Sequence, residues 1–385
     1  MEVAGDKGVS RDPRRPRRRC PPYARLVLVR PSSPLTGLRR SDRVEAESAL
    51  REILGWYFAR CYASQEGPGS VPFYCDADRV GAFAVEASEL ASGSPAALFR
   101  LFVSMSMFQA QRDVVIMRRQ SEMGPSGVRA LTDVGFVGRS SKRHHCLALR
   151  SQETFVRACD VTKRGDAVDC GRHPGARCHV KAATVSFNRM GDMGKLPTAA
   201  WLLFWKDGGV QRALDDIRKE YPSPIRRAKA LVRRFGQVHR VGRKLATMFV
   251  SALATPALAP GLTPWFPEVD GNELVVVDTN VARAIDALRS PGAARTYDAR
   301  ERWITVQARR VDLRLFHPEV PSFSPRLVQQ ALYAFCSRSN RTAAGDACAD
   351  GRAPCATCTP SVCPFCEGRQ RRQVDVLERR RRDRA

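Results

Sequence analysis

Apolar residues recur at helical spacing through most of this chain, and alternating apolar–polar runs are few. The spacing predicts helices over residues 41–58, 95–117, 180–190, 198–205, 244–253, 279–288 and 326–336, and the stretch 207–235 is charged and amphipathic. The main β-branched run, at 273–277, is short, and the stretch 254–272 has the Pro and Gly content of a loop. The sequence contains no internal repeat. It therefore predicts a mostly α fold.

The chain is strongly basic, with a formal net charge of +25 over 385 residues. Such a field attracts polyanions, of which nucleic acid is the commonest. A neutral enzyme with basic tails, or a ribosome-associated protein, would have the same charge balance. Arginine clusters predict basic tails at residues 1–40 and 369–385, the alternative for the first being a solvated leader without a role. The apolar content of 43% is enough for a packed core between the tails.

Targeting signals are also informative. No apolar run is long enough to span a bilayer, and the arginine-rich start lacks the apolar segment of a secretory signal. We therefore expect an intracellular protein, in the cytoplasm or nucleoid, or in the nucleus if the source is eukaryotic. Cysteines number 13, and in a reducing compartment they favour metal ligation over disulfides.

A lysine and an aspartate each stand at the start of a predicted helix. Gly242 allows a tight turn directly before the apolar helix that contains Lys244. Turn amides and helix starts bind phosphate, so residues 236–250 predict a hairpin between two helices that grips a DNA strand without reading its sequence. Asp278 directly follows the apolar run 275–277 and precedes another helix.

These segments resemble the helix-hairpin-helix DNA glycosylase superfamily, and its endonuclease III branch most. Val-Gly-Arg-Lys-Leu-Ala at 241–246 is similar to the family's Gly-Val-Gly-Arg-Lys-Thr-Ala, and Val-Asp-Thr-Asn-Val at 277–281 to its Val-Asp-Thr-His-Val. Asn280 in place of that histidine is more similar to the adenine-mismatch branch. Residues 101–113 and Gly-Lys-Leu-Pro at 194–197 are similar to two further family segments, in the same order. The resemblance covers residues 85–366.

The chain departs from the family pattern in three ways. His239 and Arg240 stand where the family hairpin has Pro-Gly. The gaps before the hairpin and between Lys244 and Asp278 are longer, and an insertion surrounds residues 159–178. The resemblance therefore implies a divergent member, and the sequence does not say which base it excises.

The chemistry implied by the resemblance needs an amine and a carboxylate. Breaking an N-glycosidic bond builds positive charge on the sugar, which a buried carboxylate stabilises; Asp278 is the candidate, and a helix N-cap is the alternative role. An amine that attacks the sugar carbon forms a Schiff base; Lys244 is the candidate, and a phosphate-contacting or solvated lysine is the alternative.

The resemblance also implies contacts with DNA. A target base must leave the duplex to be reached. Gln109 matches the family glutamine that fills the gap, the alternative being an ordinary polar residue at a helix end. The remaining expected DNA contacts come from the hairpin residues Arg240, Val241, Gly242 and Arg243.

A cluster of cysteines near the C-terminus has the spacing C-x6-C-x2-C-x4-C, at Cys348, Cys355, Cys358 and Cys363. The endonuclease III-like pattern is C-x6-C-x2-C-x5-C, so the resemblance implies a [4Fe-4S] cluster on these thiolates. Zinc is the alternative metal, and Cys336 or Cys366 is the alternative fourth ligand.

A second group has the residue types of a zinc site but no recognised spacing. We favour ordinary loop cysteines there over a metal site. The group consists of Cys159, Cys170, His173, Cys178 and His179.

Together these patterns predict a mostly α, two-lobed helix-hairpin-helix glycosylase fold over residues 41–335, with an inserted loop near 155–180 and a Cys-rich loop at 336–368. The expected function is DNA base-excision repair by a glycosylase with AP-lyase activity, which flips out a damaged or mispaired base and cleaves its N-glycosidic bond. We expect a monomer acting on double-stranded DNA, without a membrane partner. The alternatives are a monofunctional glycosylase and a non-catalytic, metal-stabilised DNA-binding protein on the same scaffold.

Overall fold

Local sequence signals set where the helices begin. Asp278, Thr296 and Ser324 each precede a helix in an extended conformation, and each side chain accepts a hydrogen bond from the amide three residues on. Such caps satisfy amides that have no partner inside the helix. Proline stands in the first helical turn of the helix after Ser324 and of three further helices, where the missing N–H removes no hydrogen bond.

The computed structural model describes residues 40–143, 146–171, 178–189, 191–290 and 292–345. The helices are α1 (Arg40–Trp56), α2 (Ala77–Val80), α3 (Ala87–Ala91), α4 (Pro95–Ser106), α5 (Asp113–Ser121), α6 (Pro125–Thr132), α7 (Val134–Arg143), α8 (Gln152–Ala158), α9 (His179–Phe187), α10 (Leu196–Ala200), α11 (Gly209–Glu220), α12 (Pro224–Phe235), α13 (Arg243–Ala254), α14 (Thr279–Leu288), α15 (Tyr297–Ala308), α16 (Pro325–Cys336) and α17 (Arg338–Ala343). The strands are β1 (Thr162–Arg164) and β2 (Ala167–Asp169). The mostly α prediction is confirmed for the described residues.

The buried apolar residues form two core clusters. The first core runs from Tyr74 to Leu274 and includes α4, α12 and α13. Its centre is aromatic: the rings of Phe102 and Phe235 each lie 4.9 Å from that of Phe249. The second core combines residues 49–62, at the end of α1 and in the π-helical turn after it, with residues 275–336. The chain passes from the first core to the second between Leu274 and Val275.

One sequence prediction of a single helix is wrong. Residues 95–117 form α4 and the start of α5, because the chain leaves the helix after Ser106 and Ala110 takes a left-handed conformation with φ of 53°. The helix predicted over 198–205 is present, as the end of α10 followed by a π-helical turn over Trp201–Trp205. The charged, amphipathic stretch 207–235 forms two helices, α11 and α12, because Pro222 and Pro224 interrupt it.

The segment expected to be an inserted loop carries short regular elements. β1 and β2 form a two-stranded antiparallel hairpin that pairs Thr162 with Asp169. An additional bridge joins Lys163 to Gly191 through amide–carbonyl distances of 2.7 and 2.9 Å. In the segment expected to be a Cys-rich loop, the described part includes the short helix α17.

None of the described helices is both long enough and apolar enough to cross a bilayer.

Candidate active site

Lys244 and Asp278 line the same cavity, which has a volume of about 180 Å³. The cavity lies where the two cores meet, since Phe108 belongs to the first core and Tyr333 packs against the second. Its wall combines aromatic rings, including that of Phe73, with charged and amide groups. It is smaller than the roughly 300–1,000 Å³ of pockets for drug-sized ligands, so its size suits one flat ring.

Lys244 reaches the cavity from the first turn of α13. Gly242 precedes that helix in an extended conformation with φ of −93°. The ammonium group donates a hydrogen bond of 3.3 Å to the carbonyl oxygen of Phe108, just beyond α4. This contact holds the amine at the cavity wall, where a bound electrophile would meet it.

Asp278 enters the cavity at the start of α14. Its Oδ1 accepts a hydrogen bond of 2.8 Å from the amide of Val281, so the carboxylate is the N-cap of that helix. Burial raises the pKa of Asp278, against the lowering effects of the Val281 amide and of the Lys244 charge. The predicted N-cap is therefore present, and the same side chain interacts electrostatically with the amine.

Asp113 is a second carboxylate of this cavity, and the sequence did not assign it to the site. It is the first residue of α5, and its carboxylate accepts a hydrogen bond from the hydroxyl of Tyr333. Its negative charge further raises the pKa of Asp278. The only sequence signal was an acidic residue at a helix start, which a prediction of one helix over 95–117 conceals.

The hairpin between α12 and α13 has an unusual backbone at Arg240. This residue has φ of 64°, in the left-handed region that favours glycine. Its Nε donates a 2.7 Å hydrogen bond to Oδ1 of Asp192, and Nε2 of His239 lies 3.0 Å from Oδ2 of the same carboxylate. Buried Lys195 is 3.4 Å from that oxygen. Asp192 therefore holds both His239 and Arg240 in the hairpin.

The charges of this cluster shift the ionisation of its members. Burial alone would raise the pKa of Asp192, but hydrogen bonds from Arg240 and His239 outweigh it and hold this pKa below its ordinary value. Burial lowers the pKa of His239, although Asp192 opposes this. The cluster thus favours an ionised Asp192.

Gln109 lies beside the hairpin. Its Nε2 donates to the carbonyl oxygens of Ser106 at 2.6 Å and of Arg240 at 3.1 Å. The guanidinium of Arg189 donates to the carbonyls of Met107 and Gln109 and so holds this turn of the chain. The structure thus brings together Gln109 and the hairpin, which are far apart in the sequence.

The other hairpin residues differ in what they present to solvent. Val241 is buried and its amide donates a 2.8 Å hydrogen bond to the carbonyl oxygen of Val238, whereas Gly242 is exposed. The guanidinium of Arg243 pairs with Asp298 at 2.6 Å and with Glu301, and lies 4.6 Å from the ring centre of Tyr297. Contact between Arg243 and a phosphate would therefore compete with two carboxylates.

The predicted cluster ligands Cys348, Cys355, Cys358 and Cys363 lie outside the described residues, as does Cys366. Cys336, at the end of α16, is buried, and this burial raises the pKa of its thiol to about 12. Cys336 therefore remains a protonated thiol in the second core at neutral pH.

Comparison with known proteins adds no family to this geometry. A scan against protein-family models, a search of curated proteins and a search of solved structures gave no match.

Proposed function

We propose that this protein is a DNA base-excision glycosylase with AP-lyase activity, built on a two-lobed helix-hairpin-helix scaffold. The observation that carries the proposal is that Lys244 and Asp278, from helices on two different cores, line one cavity with an aromatic wall. An amine beside a buried carboxylate is the pair that glycosidic cleavage with Schiff-base formation requires. The net charge of +25 supports a nucleic acid partner.

Lys244 supplies the nucleophile in this mechanism. Its neutral amine forms a bond to the C1′ carbon of the target nucleotide, and the electron pair of the C1′–N bond leaves with the base, which takes up a proton. Loss of a proton from the nitrogen and opening of the sugar give a Schiff base. Removal of a C2′ proton then expels the 3′-phosphate and cleaves the strand.

Asp278 acts while the glycosidic bond breaks. The sugar becomes positively charged in that step, and an ionised carboxylate in a poorly solvated site stabilises this charge more strongly than one in water. Asp278 also keeps α14 capped, so the carboxylate is held in place before the reaction begins. Positioning in advance avoids reorganisation during the step.

The hairpin and Gln109 form the proposed DNA contact. The first amides of α13 have no partner within the helix, and they follow exposed Gly242, so they suit a phosphate. Gln109 lies next to this turn through its bond to the Arg240 carbonyl. A side chain there can enter the duplex while the hairpin holds the backbone.

The [4Fe-4S] cluster remains a proposal from the spacing of Cys348, Cys355, Cys358 and Cys363. No step of the mechanism passes through it. A brown purified protein containing iron would support this assignment, whereas equimolar zinc would favour the alternative metal.

Covalent trapping tests the proposed nucleophile. Full-length protein is incubated with duplexes that each carry one damaged or mispaired base, and sodium borohydride reduces any Schiff base to a stable link. We expect trapping with at least one duplex, and its loss in Lys244→Gln. Lys229→Gln is the matched control, because it removes the same charge from a residue of α12 that pairs with Glu273. Trapping that survives Lys244→Gln would remove Lys244 from its role.

Two other functions remain as outcomes of the same assay. A monofunctional glycosylase would release the base without strand cleavage or trapping. A non-catalytic DNA-binding protein would bind the duplexes and release no base. The second is favoured by the hairpin, because the pairs of Arg240 with Asp192 and of Arg243 with Asp298 occupy groups that would otherwise meet DNA.

A further inference from the structure

Four cysteines line a second cavity, separate from that of Lys244 and Asp278. Its volume is about 30 Å³, and the cysteines are Cys146, Cys159, Cys170 and Cys178. The rest of its wall is apolar except for Asp160. The sequence reading grouped three of these cysteines with two histidines and did not include Cys146.

The two histidines do not complete this group. His173 lies outside the described residues. Nε2 of His179 lies 3.2 Å from the hydroxyls of both Ser141 and Thr198, and His179 does not line the cavity. The candidate site therefore consists of four thiol groups.

Each cysteine stands at the end of a short element. Cys146 precedes the 3-10 turn Leu147–Arg150, and Cys159 follows α8. Cys170 follows β2, and Cys178 precedes α9. One crosslink among these positions would hold the ends of four elements together.

The segment between Cys146 and Cys178 has little core of its own. The only buried residue of α8 is Phe155, and neither strand of the hairpin contains a buried residue. A two-stranded hairpin alone is marginally stable in water. Small loop-rich segments of this kind are commonly stabilised by a metal ion or by disulfides.

The local chemistry favours a metal ion over disulfides. All four cysteines are free thiols that share one cavity rather than forming two bonded pairs. Zinc binds four thiolates in a tetrahedron, which leaves a net negative charge on the site. Buried Lys195 donates a hydrogen bond to the carbonyl oxygen of Cys159, so an ammonium group lies beside this part of the site. A neighbouring ammonium offsets the negative charge of a thiolate site.

We propose that Cys146, Cys159, Cys170 and Cys178 bind one zinc ion as four thiolates and so tie together the ends of four short elements. Among the described residues, no three His, Cys, Asp or Glu side chains yet stand close enough to hold a metal ion. Binding therefore requires the four thiols to move closer together around the cavity that they line. The four thiols release their protons as the zinc–sulfur bonds form.

Metal analysis of the full-length protein tests this site. Because the C-terminal cysteines also bind metal in our proposal, the background variant carries Cys355→Ser and Cys358→Ser. We expect this background to retain about one zinc ion per chain after purification in metal-free buffer. Cys170→Ser in the same background should lose that zinc. Cys75→Ser is the matched control, since Cys75 is a partly buried thiol packed against the first core away from this cavity.

Three results would overturn the proposal. Equal zinc content in the Cys170→Ser variant and its background would remove the cysteines as ligands. Disulfides among the four, found by mass spectrometry without reduction, would replace the metal by covalent crosslinks. If Cys170→Ser fails to fold, cobalt titration of the folded background decides, and the absence of a tetrahedral thiolate–cobalt spectrum contradicts the site.

Discussion

Replacing Asp278 by Asn and by Ala separates the two roles that its side chain has in the structure. Oδ1 caps α14 through the Val281 amide at 2.8 Å, and Asn retains an oxygen that can accept this bond. Ala has none, and losing an N-cap of this kind costs roughly 0.5–2 kcal/mol. We therefore expect Asp278→Ala to lower the free energy of unfolding by about 1 kcal/mol relative to Asp278→Asn.

The ionisation of Asp278 makes the free energy of unfolding depend on pH. Burial raises the pKa of Asp278 above its unfolded value, so this group favours the folded state when it is protonated. That contribution is fully present below the unfolded pKa and is lost as the pH rises through the folded pKa. Asp278→Asn should therefore be at least as stable as the native protein at neutral pH, with an advantage that disappears in acid.

Urea denaturation between roughly pH 4 and 8 measures both effects. Base release from the lesion duplexes is measured on the same preparations, and there Asp278→Asn should lose activity by about 10²–10³-fold if the carboxylate stabilises the sugar cation. Native activity in Asp278→Asn together with the stability loss in Asp278→Ala would reduce Asp278 to a helix cap. A less stable Asp278→Asn at neutral pH would refute the argument from the buried charge.

Three further predictions concern Gly194 and the ion pair between Arg240 and Asp192. Gly194→Ala places a Cβ against the backbone of Thr184, and this overpacking should cost about 1–3 kcal/mol in urea denaturation. Arg240→Gly should be about 1 kcal/mol more stable than Arg240→Ala, because both lose the ion pair with Asp192 but only Gly relieves the positive φ; the reverse order would contradict the left-handed backbone. Asp192→Asn should be destabilised at neutral pH, since Arg240 and His239 hold the pKa of Asp192 low despite its burial. That loss should vanish as the pH falls through the folded pKa, and a pH-independent difference would remove the ion pairs as its cause.

Two helices of the second core, α14 and α16, could be predicted from local sequence. The bounds of α14 agree with the predicted 279–288, and α16 begins one residue before the predicted 326. In both cases a capping side chain, Asp278 or Ser324, stands directly before an apolar pattern of helical period. The capping residue that starts such a helix and the apolar residues that bury it are a few positions apart, so a short stretch of sequence is enough to predict the helix.

The turn between α4 and α5 could not be predicted in this way. Its apolar residues continue the helical period, but the backbone leaves the helix at Met107 and turns at Ala110. Arg189, more than 75 residues away in the chain, holds its carbonyl groups. The position of Asp113 in the cavity depends on that turn, which is why the sequence reading did not find it.

The candidate site likewise has a part that could be predicted from the sequence and a part that could not. The sequence singled out Lys244 and Asp278, and the structure brings both to one cavity. The sequence could not show that Asp192 supports the hairpin, because His239 and Arg240 lie between α12 and α13 whereas Asp192 lies before α10. Nor could it include Cys146 with the other three cysteines, since their spacing follows no known pattern and only the folded chain gathers them.

The composition of the second core has a consequence for the order of folding. Residues 49–62 pack with residues 275–336, so the intervening 63–274 must be synthesised before the apolar face of α1 finds its partners. During synthesis the first core can close while α1 is still uncovered and prone to association with other chains. Because residues from Pro72 to Asn340 line the cavity of Lys244 and Asp278, this cavity can form only after the chain has been synthesised as far as α17.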